Sequence, residues 1–253
     1  MRRLIVLALL VACSCSSKSS GRSVRIAAAS DLARAYEELG AAFHKKTGIT
    51  PQFQFGSSGL LAKQIEQGAP FFLFAAANKP YTDQVIAAGR CDAKSERLYA
   101  RGRIVVWCPT GVAAPVKLTD LTDPRFKKIA IANPEHAPYG LAAKQALQKA
   151  GIWDAIQPKL VLGDSVQATM QYARTGTVDA AVIALSLAVV SDGGSFLKID
   201  EDQYDPLDQT MVVCGNGQEA DAAHQFEEFI SSPDGREVMT RYGFVLPDAH
   251  AKP

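Results

Sequence analysis

Four short stretches of this chain put small or hydroxyl-bearing residues where a strand gives way to a helix. They are Ala28-Ala29-Ser30, Gly56-Ser57-Ser58-Gly59, Ala137-Pro138-Tyr139-Gly140 and Gly163-Asp164-Ser165-Val166, and none contains Lys or Arg. The first turn of a helix carries backbone N–H groups without helical partners and a partial positive charge. Several such turns aimed at one point form an anion cradle built from neutral donors. That chemistry suits a small tetrahedral dianion that must be gripped and later released. Singly, each stretch has a plainer reading. Ser is a common helix N-cap, and Ser30 or Ser57-Ser58 could be no more than that. Their number and common layout point to a ligand.

The elements that must position them alternate regularly. Residues 24–28 read as a strand, and 32–46 as an amphipathic helix with Leu32, Tyr36, Leu39 and Phe43 on one face. A strand over 51–55, a helix over 60–66, a strand over 71–76 and a helix over 81–88 follow. A strand at 103–108 opens a second series: strand 128–132, helix 141–150, strand 159–162, helix 166–174 and strand 180–184. Residues 210–214 return as a strand, 220–230 as a helix, and 238–242 as a last helical turn. This order predicts an α/β protein of two lobes, each a mostly parallel sheet flanked by helices, with crossings near 103–108 and 210–214. The lobes take residues 24–103, 104–209 and a return segment 210–253. A ligand cleft between them is the expected site.

Residues 1–12 lie outside that fold. Met1-Arg2-Arg3 is basic, the run 4–12 is apolar and too short to span a bilayer, and the segment reads as a signal peptide. Leu10-Val11-Ala12-Cys13 has the form of a lipoprotein cleavage site, which makes Cys13 the candidate lipid attachment residue. Residues 13–23 include a Ser-rich flexible tether. Both a lipoprotein signal and an ordinary secretory one put the mature chain outside the cytoplasm. The 253 residues carry a net charge of +1, so no basic surface argues for nucleic acid. Cys91, Cys108 and Cys214 lack any C-x-x-C spacing, which argues against zinc. One disulfide among them is open, with Cys108–Cys214 one pairing because both end strand-like runs; buried free thiols are the alternative. His44, His136, His224 and His250 are scattered and suggest no metal site. No cofactor is expected.

The chain resembles the periplasmic molybdate-binding proteins of ABC importers over about residues 24–244. The resemblance rests on Ala27-Ala28-Ala29-Ser30, Phe55-Gly56-Ser57-Ser58, the run from Leu61 to Pro70 (LAKQIEQGAP), the run from Asn133 to Gly140 (NPEHAPYG), and Arg241-Tyr242-Gly243-Phe244. It implies a two-lobed type II periplasmic-binding-protein fold that closes on molybdate or tungstate. It also implies a membrane permease as partner, a monomer and no enzymatic activity. By position, Ser30 and Ser58 match the two first-lobe serines that donate to the oxyanion, with Ser57 beside them. Tyr139 and Val166 match second-lobe backbone amide donors. The chain departs from the family at Leu73, Asn78 and Ala184. Many members have a tyrosine near the last of these, and the Tyr139 phenol is a candidate replacement. A sulfate or other oxyanion binder of the same fold is one alternative. A secreted serine hydrolase is another, since Gly163-Asp164-Ser165 and Asp221-Ala222-Ala223-His224 resemble the two blocks of that class, with Ser165 and His224 as its pair.

Overall fold

The computed structural model describes residues 22–247. Its first strand, β1 (Ser23–Ala29), runs through a 3-10 turn (Ser30–Leu32) into α1 (Ala33–Thr47). Next come β2 (Thr50–Gly56), α2 (Ser58–Glu66), β3 (Leu73–Ala76), α3 (Lys79–Ala87) and β4 (Arg97–Gly102). The second series is β5 (Ile104–Cys108), β6 (Ile129–Ala132), α4 (Pro138–Lys149), α5 (Trp153–Ile156), β7 (Leu160–Gly163), α6 (Val166–Arg174), β8 (Ala180–Ala184), α7 (Leu185–Ala188) and β9 (Ser195–Lys198). The chain then returns as β10 (Leu207–Val213), α8 (Gln218–Ser231) and α9 (Pro233–Arg241).

These strands form two five-stranded sheets, in the orders β2-β1-β3-β10-β4 and β7-β6-β8-β5-β9. The mostly parallel sheets expected from the sequence are found, with one reversed strand in each. The crossover strand, β10 or β5, runs antiparallel to both its neighbours, and the other four strands of its sheet share one direction. A strand that arrives from the other lobe enters its sheet from the opposite end, so two of four pairings reverse.

Three differences from the sequence reading have physical causes. The edge strand β4 escapes the periodicity because Arg97 and Arg101 interrupt its apolar residues. The return strand begins at Leu207, so a boundary at 209/210 cuts through it; Leu207 pairs with Gly102, and polar Gln209 is buried. The disulfide joins Cys91 to Cys214, across 123 residues of sequence, and Cys108 is buried and free. Cys108 lies on β5 in the other sheet, beyond reach of that partner.

The first lobe packs α1 and α8 over its sheet, on the apolar residues that set the α1 periodicity. Phe226 of α8 meets Tyr36 and Phe43 edge-on, with ring centres 5.6 and 5.1 Å apart. Each such fully buried side chain contributes roughly 1.5–3 kcal/mol. That packing fixes α1, and with it the Ser30 turn at the carboxyl end of β1. Among the described residues no helix is long and apolar enough to cross a membrane.

Candidate functional site

The four stretches converge. A small cavity lies between the lobes, walled by Ala29, Ser30, Asp31, Gly56, Ser57, Ser58 and Ala77 of the first lobe. Ala137, Pro138, Tyr139 and Val166 close it from the second. No Lys or Arg is in the wall. All but Ala77, which lies just past β3, are the last residue of a strand or belong to the cap or first turn of the helix that follows, which is why a βα pattern read from sequence could find those stretches.

The hydroxyl hydrogen bonds set the direction of their protons. Ser58 is fully buried, and its Oγ accepts from the Ala77 N–H at 2.9 Å. The Ser30 Oγ accepts from the Gln167 N–H at 3.4 Å, across the lobes. A hydroxyl has one proton to give, and an acceptor engaged by a backbone N–H keeps that proton for something else. Ser30 and Ser58 both stand in the cavity wall with that proton unspent. Ser57 is held instead by His136, with 2.8 Å between its Oγ and the ring Nδ1.

The second lobe offers backbone. Pro138 is the first residue of α4 and lacks an N–H, so Tyr139 supplies the first amide of that helix. Val166 opens α6, where the Ser165 hydroxyl caps the helix by accepting from the Ala168 N–H at 3.2 Å. The Val166 amide belongs to the first turn and has no helical acceptor. The arrangement therefore offers two hydroxyl protons from one side and two amides from the other. Buried dianions require donors of this kind at each oxygen.

The lobes touch directly around this cavity. The Gly59 N–H donates to the His136 carbonyl at 2.9 Å. A Cβ on Gly59 would stand 2.7 Å from that oxygen, so only glycine permits the approach. The Ser186 hydroxyl donates to the Asp31 carbonyl at 2.8 Å.

The Tyr139 phenol is engaged within the protein. It donates to Asp31 Oδ2 at 2.9 Å, and Gln209 Nε2 donates to the same oxygen at 2.6 Å. The Gln209 Oε1 accepts in turn from Tyr99 at 2.9 Å. The phenol as a replacement for a hydroxyl near Ala184 is thus corrected: the buried carboxylate beside it is the stronger acceptor. Gly102 makes room for this cluster, since a Cβ there would lie 2.1 Å from the phenol oxygen. Burial pushes the Asp31 carboxyl up to about 6 despite the bonds from Gln209 and Tyr139. Burial, and then the Asp31 charge, holds the Tyr139 phenol well above its ordinary value.

Asp31, His136 and Gln209 are site residues the sequence reading passed over. Ser165 and His224 are not brought together. Ser165 caps α6, and His224 on α8 pairs with buried Glu227 at 3.1 Å. Ala184 and Leu73 are buried strand residues, and neither they nor Asn78 are in the cavity wall. Among the described residues no cluster of His, Cys, Asp and Glu could hold a metal ion.

A family model described as bacterial extracellular solute-binding protein matches residues 24–245. The chain belongs to that family. Among its relatives, the molybdate-binding protein ModA of Rhodobacter capsulatus is 34% identical over 222 residues, 87% of this chain and 86% of that one. ModA of Azotobacter vinelandii is 33% identical, covering 94% of each chain. The solved structure of the Azotobacter vinelandii periplasmic molybdate-binding protein superposes with a TM-score of 0.83 at 29% identity, over 89% of this chain and 100% of that one. The two-lobed solute-binding fold expected from the sequence is therefore the one observed. The family is one of binding proteins rather than enzymes.

Proposed function

We propose that this extracellular solute-binding protein captures molybdate or tungstate and delivers it to the membrane permease of an ABC importer. The observation that carries the reading is the pair of buried hydroxyls, Ser30 and Ser58, whose oxygens already accept from backbone N–H groups while their protons remain free at the cavity. With the Tyr139 and Val166 amides, they make a set of four donors matched to an acceptor-only dianion. Each such bond to a charged group contributes roughly 1.5–3 kcal/mol. The molybdate-binding relatives above support the choice of ion. Phosphate carries a proton near neutrality, and these four donors offer that proton no acceptor. Sulfate is a smaller dianion, so rejecting it falls to cavity size.

The protein does no covalent chemistry in this reading. The ligand bridges the two lobes and shifts the population toward the closed form, which the permease then recognises. The mature protein acts as a monomer, held to the membrane by a lipid on Cys13; that residue lies outside those described. Intact-mass analysis of the membrane-extracted protein tests the anchor.

Calorimetric titration at neutral pH with molybdate, tungstate, sulfate and phosphate tests the function. Tight one-to-one binding of the first two, with the others silent, is expected. Tight sulfate binding would move the protein to the alternative oxyanion class.

A further inference from the structure

An acidic side chain in the wall of an anion cradle has no place in a design made only of donors. Asp31 is 1% exposed and lies in that wall, directly after Ser30. Its Oδ2 is fully engaged by Tyr139 and Gln209. Its Oδ1 is buried and has no hydrogen-bond partner among the described residues. A buried, unpaired carboxylate oxygen is costly by itself. Next to a bound dianion it would also be repelled at short range in a medium that screens poorly. Protonation removes both penalties and turns Oδ1 into one more donor.

Resting on the oxyanion-binding reading above, we propose that Asp31 is a proton-carrying ligand of this site. Its Oδ1 takes a proton from solvent as the anion enters, and the resulting O–H donates to an anion oxygen. Binding and the uptake of one proton are then a single event. Release above neutral pH is favoured by loss of that proton.

The groups around Asp31 leave it as the titrating member. Tyr36 of α1, Tyr99 of β4 and Tyr139 of α4 are the ionisable groups that share its burial, and burial drives all three phenols upward, so they stay neutral. The other packed elements present uncharged groups: Gln209 of β10, the Ser186 hydroxyl of α7, and Val166 of α6 and Gly56 of β2 in the wall. His136 reaches the site only through Ser57. Burial already lifts this carboxyl to about 6, and a neighbouring dianion moves it further in the same direction.

The test is a molybdate titration of the purified protein between about pH 6 and 8.5, repeated in buffers of different ionisation enthalpy. Molybdate is a dianion throughout. The expected Kd rises by up to about tenfold per pH unit above about 6, with uptake approaching one proton per anion. In Asp31→Asn the slope and the proton uptake vanish, and the affinity at the alkaline end exceeds that of the parent. A Kd that is flat across the range with no proton taken up overturns the proposal, and this outcome needs no variant. So does a slope that persists in Asp31→Asn, which would assign the proton to another group, His136 first. Absence of molybdate binding at every pH, with phosphate bound instead, would defeat the functional reading; Oδ1 would then accept a proton that the ligand brings.

Discussion

The two lobes contribute to the cavity in different currencies. In the proposed site the first offers side chains, those of Ser30, Ser58 and Asp31, and the second the main-chain amides of Tyr139 and Val166; all five residues are in the wall. The lobes differ in their fastening too, since the Cys91–Cys214 disulfide ties only the first, while the second holds a free buried Cys108. A hydroxyl is deleted by any change to alanine, whereas an amide survives almost every substitution. On the proposed reading, the residue types of the first lobe decide which ligand is bound, and the second lobe contributes through the placement of its backbone.

The largest expected effect concerns the fastening. Reducing Cys91–Cys214 opens a covalent loop of more than a hundred residues, and unfolding free energy should fall by about 2–5 kcal/mol. Denaturant titration with and without reductant measures this; equal midpoints would remove the asymmetry in stability. Next, Ser58→Ala should weaken molybdate binding by roughly tenfold to a hundredfold, with the fold intact by circular dichroism. Ser30→Ala should act similarly.

The second lobe allows a sharper cut. Val166→Pro keeps a helix start, because proline suits the first helical position and Ser165 before it is already extended. It deletes the amide alone, and a loss of about tenfold in affinity is expected. Val166→Ala keeps the amide and should change the Kd by less than about twofold. If the two variants bind alike, the second lobe does not act through that N–H.

Tyr139→Phe separates the network from the cradle. The phenol serves Asp31, so the change should cost about 1–2 kcal/mol of stability and only a few-fold in affinity at neutral pH. A loss as large as that of Ser58→Ala would return the phenol to the ligand. The last effect concerns pH. Asp31 has a folded value above its unfolded one, so the unfolded chain holds fewer protons between about pH 4 and 6. Stability of the unliganded protein should therefore decline through that window as pH rises. Asp31→Asn should lose this component in a melting series, whereas an unchanged series would mean the carboxyl is not buried as described.

Most of this was legible because the cradle is made of local features. Strand ends followed by small residues and helix starts are visible at a spacing of a few residues, so the four stretches stood out without any coordinates; it was the resemblance to molybdate-binding proteins that singled out Ser30, Ser58, Tyr139 and Val166 within them. Asp31 was equally visible but ambiguous, since an acid in a first helical turn ordinarily faces solvent and complements the dipole. Its burial depends on Gln209, 178 positions away, and on Tyr139, 108 away. Gln209 itself sits in a polar stretch that hides the start of β10. The disulfide was open for the same reason: nothing in the spacing of Cys91, Cys108 and Cys214 says which strand ends are neighbours.

The insertion of β10 between β3 and β4 has a consequence for biogenesis. Every strand of the second sheet lies between residues 104 and 198, so that lobe is complete in the emerging chain before the first can be closed. Until Leu207–Val213 arrives, β4 has no partner in its sheet and Cys91 has no Cys214 to join. A nascent protein halted before that strand would carry one finished half and one held open, with its serines in place but no second wall fixed against them.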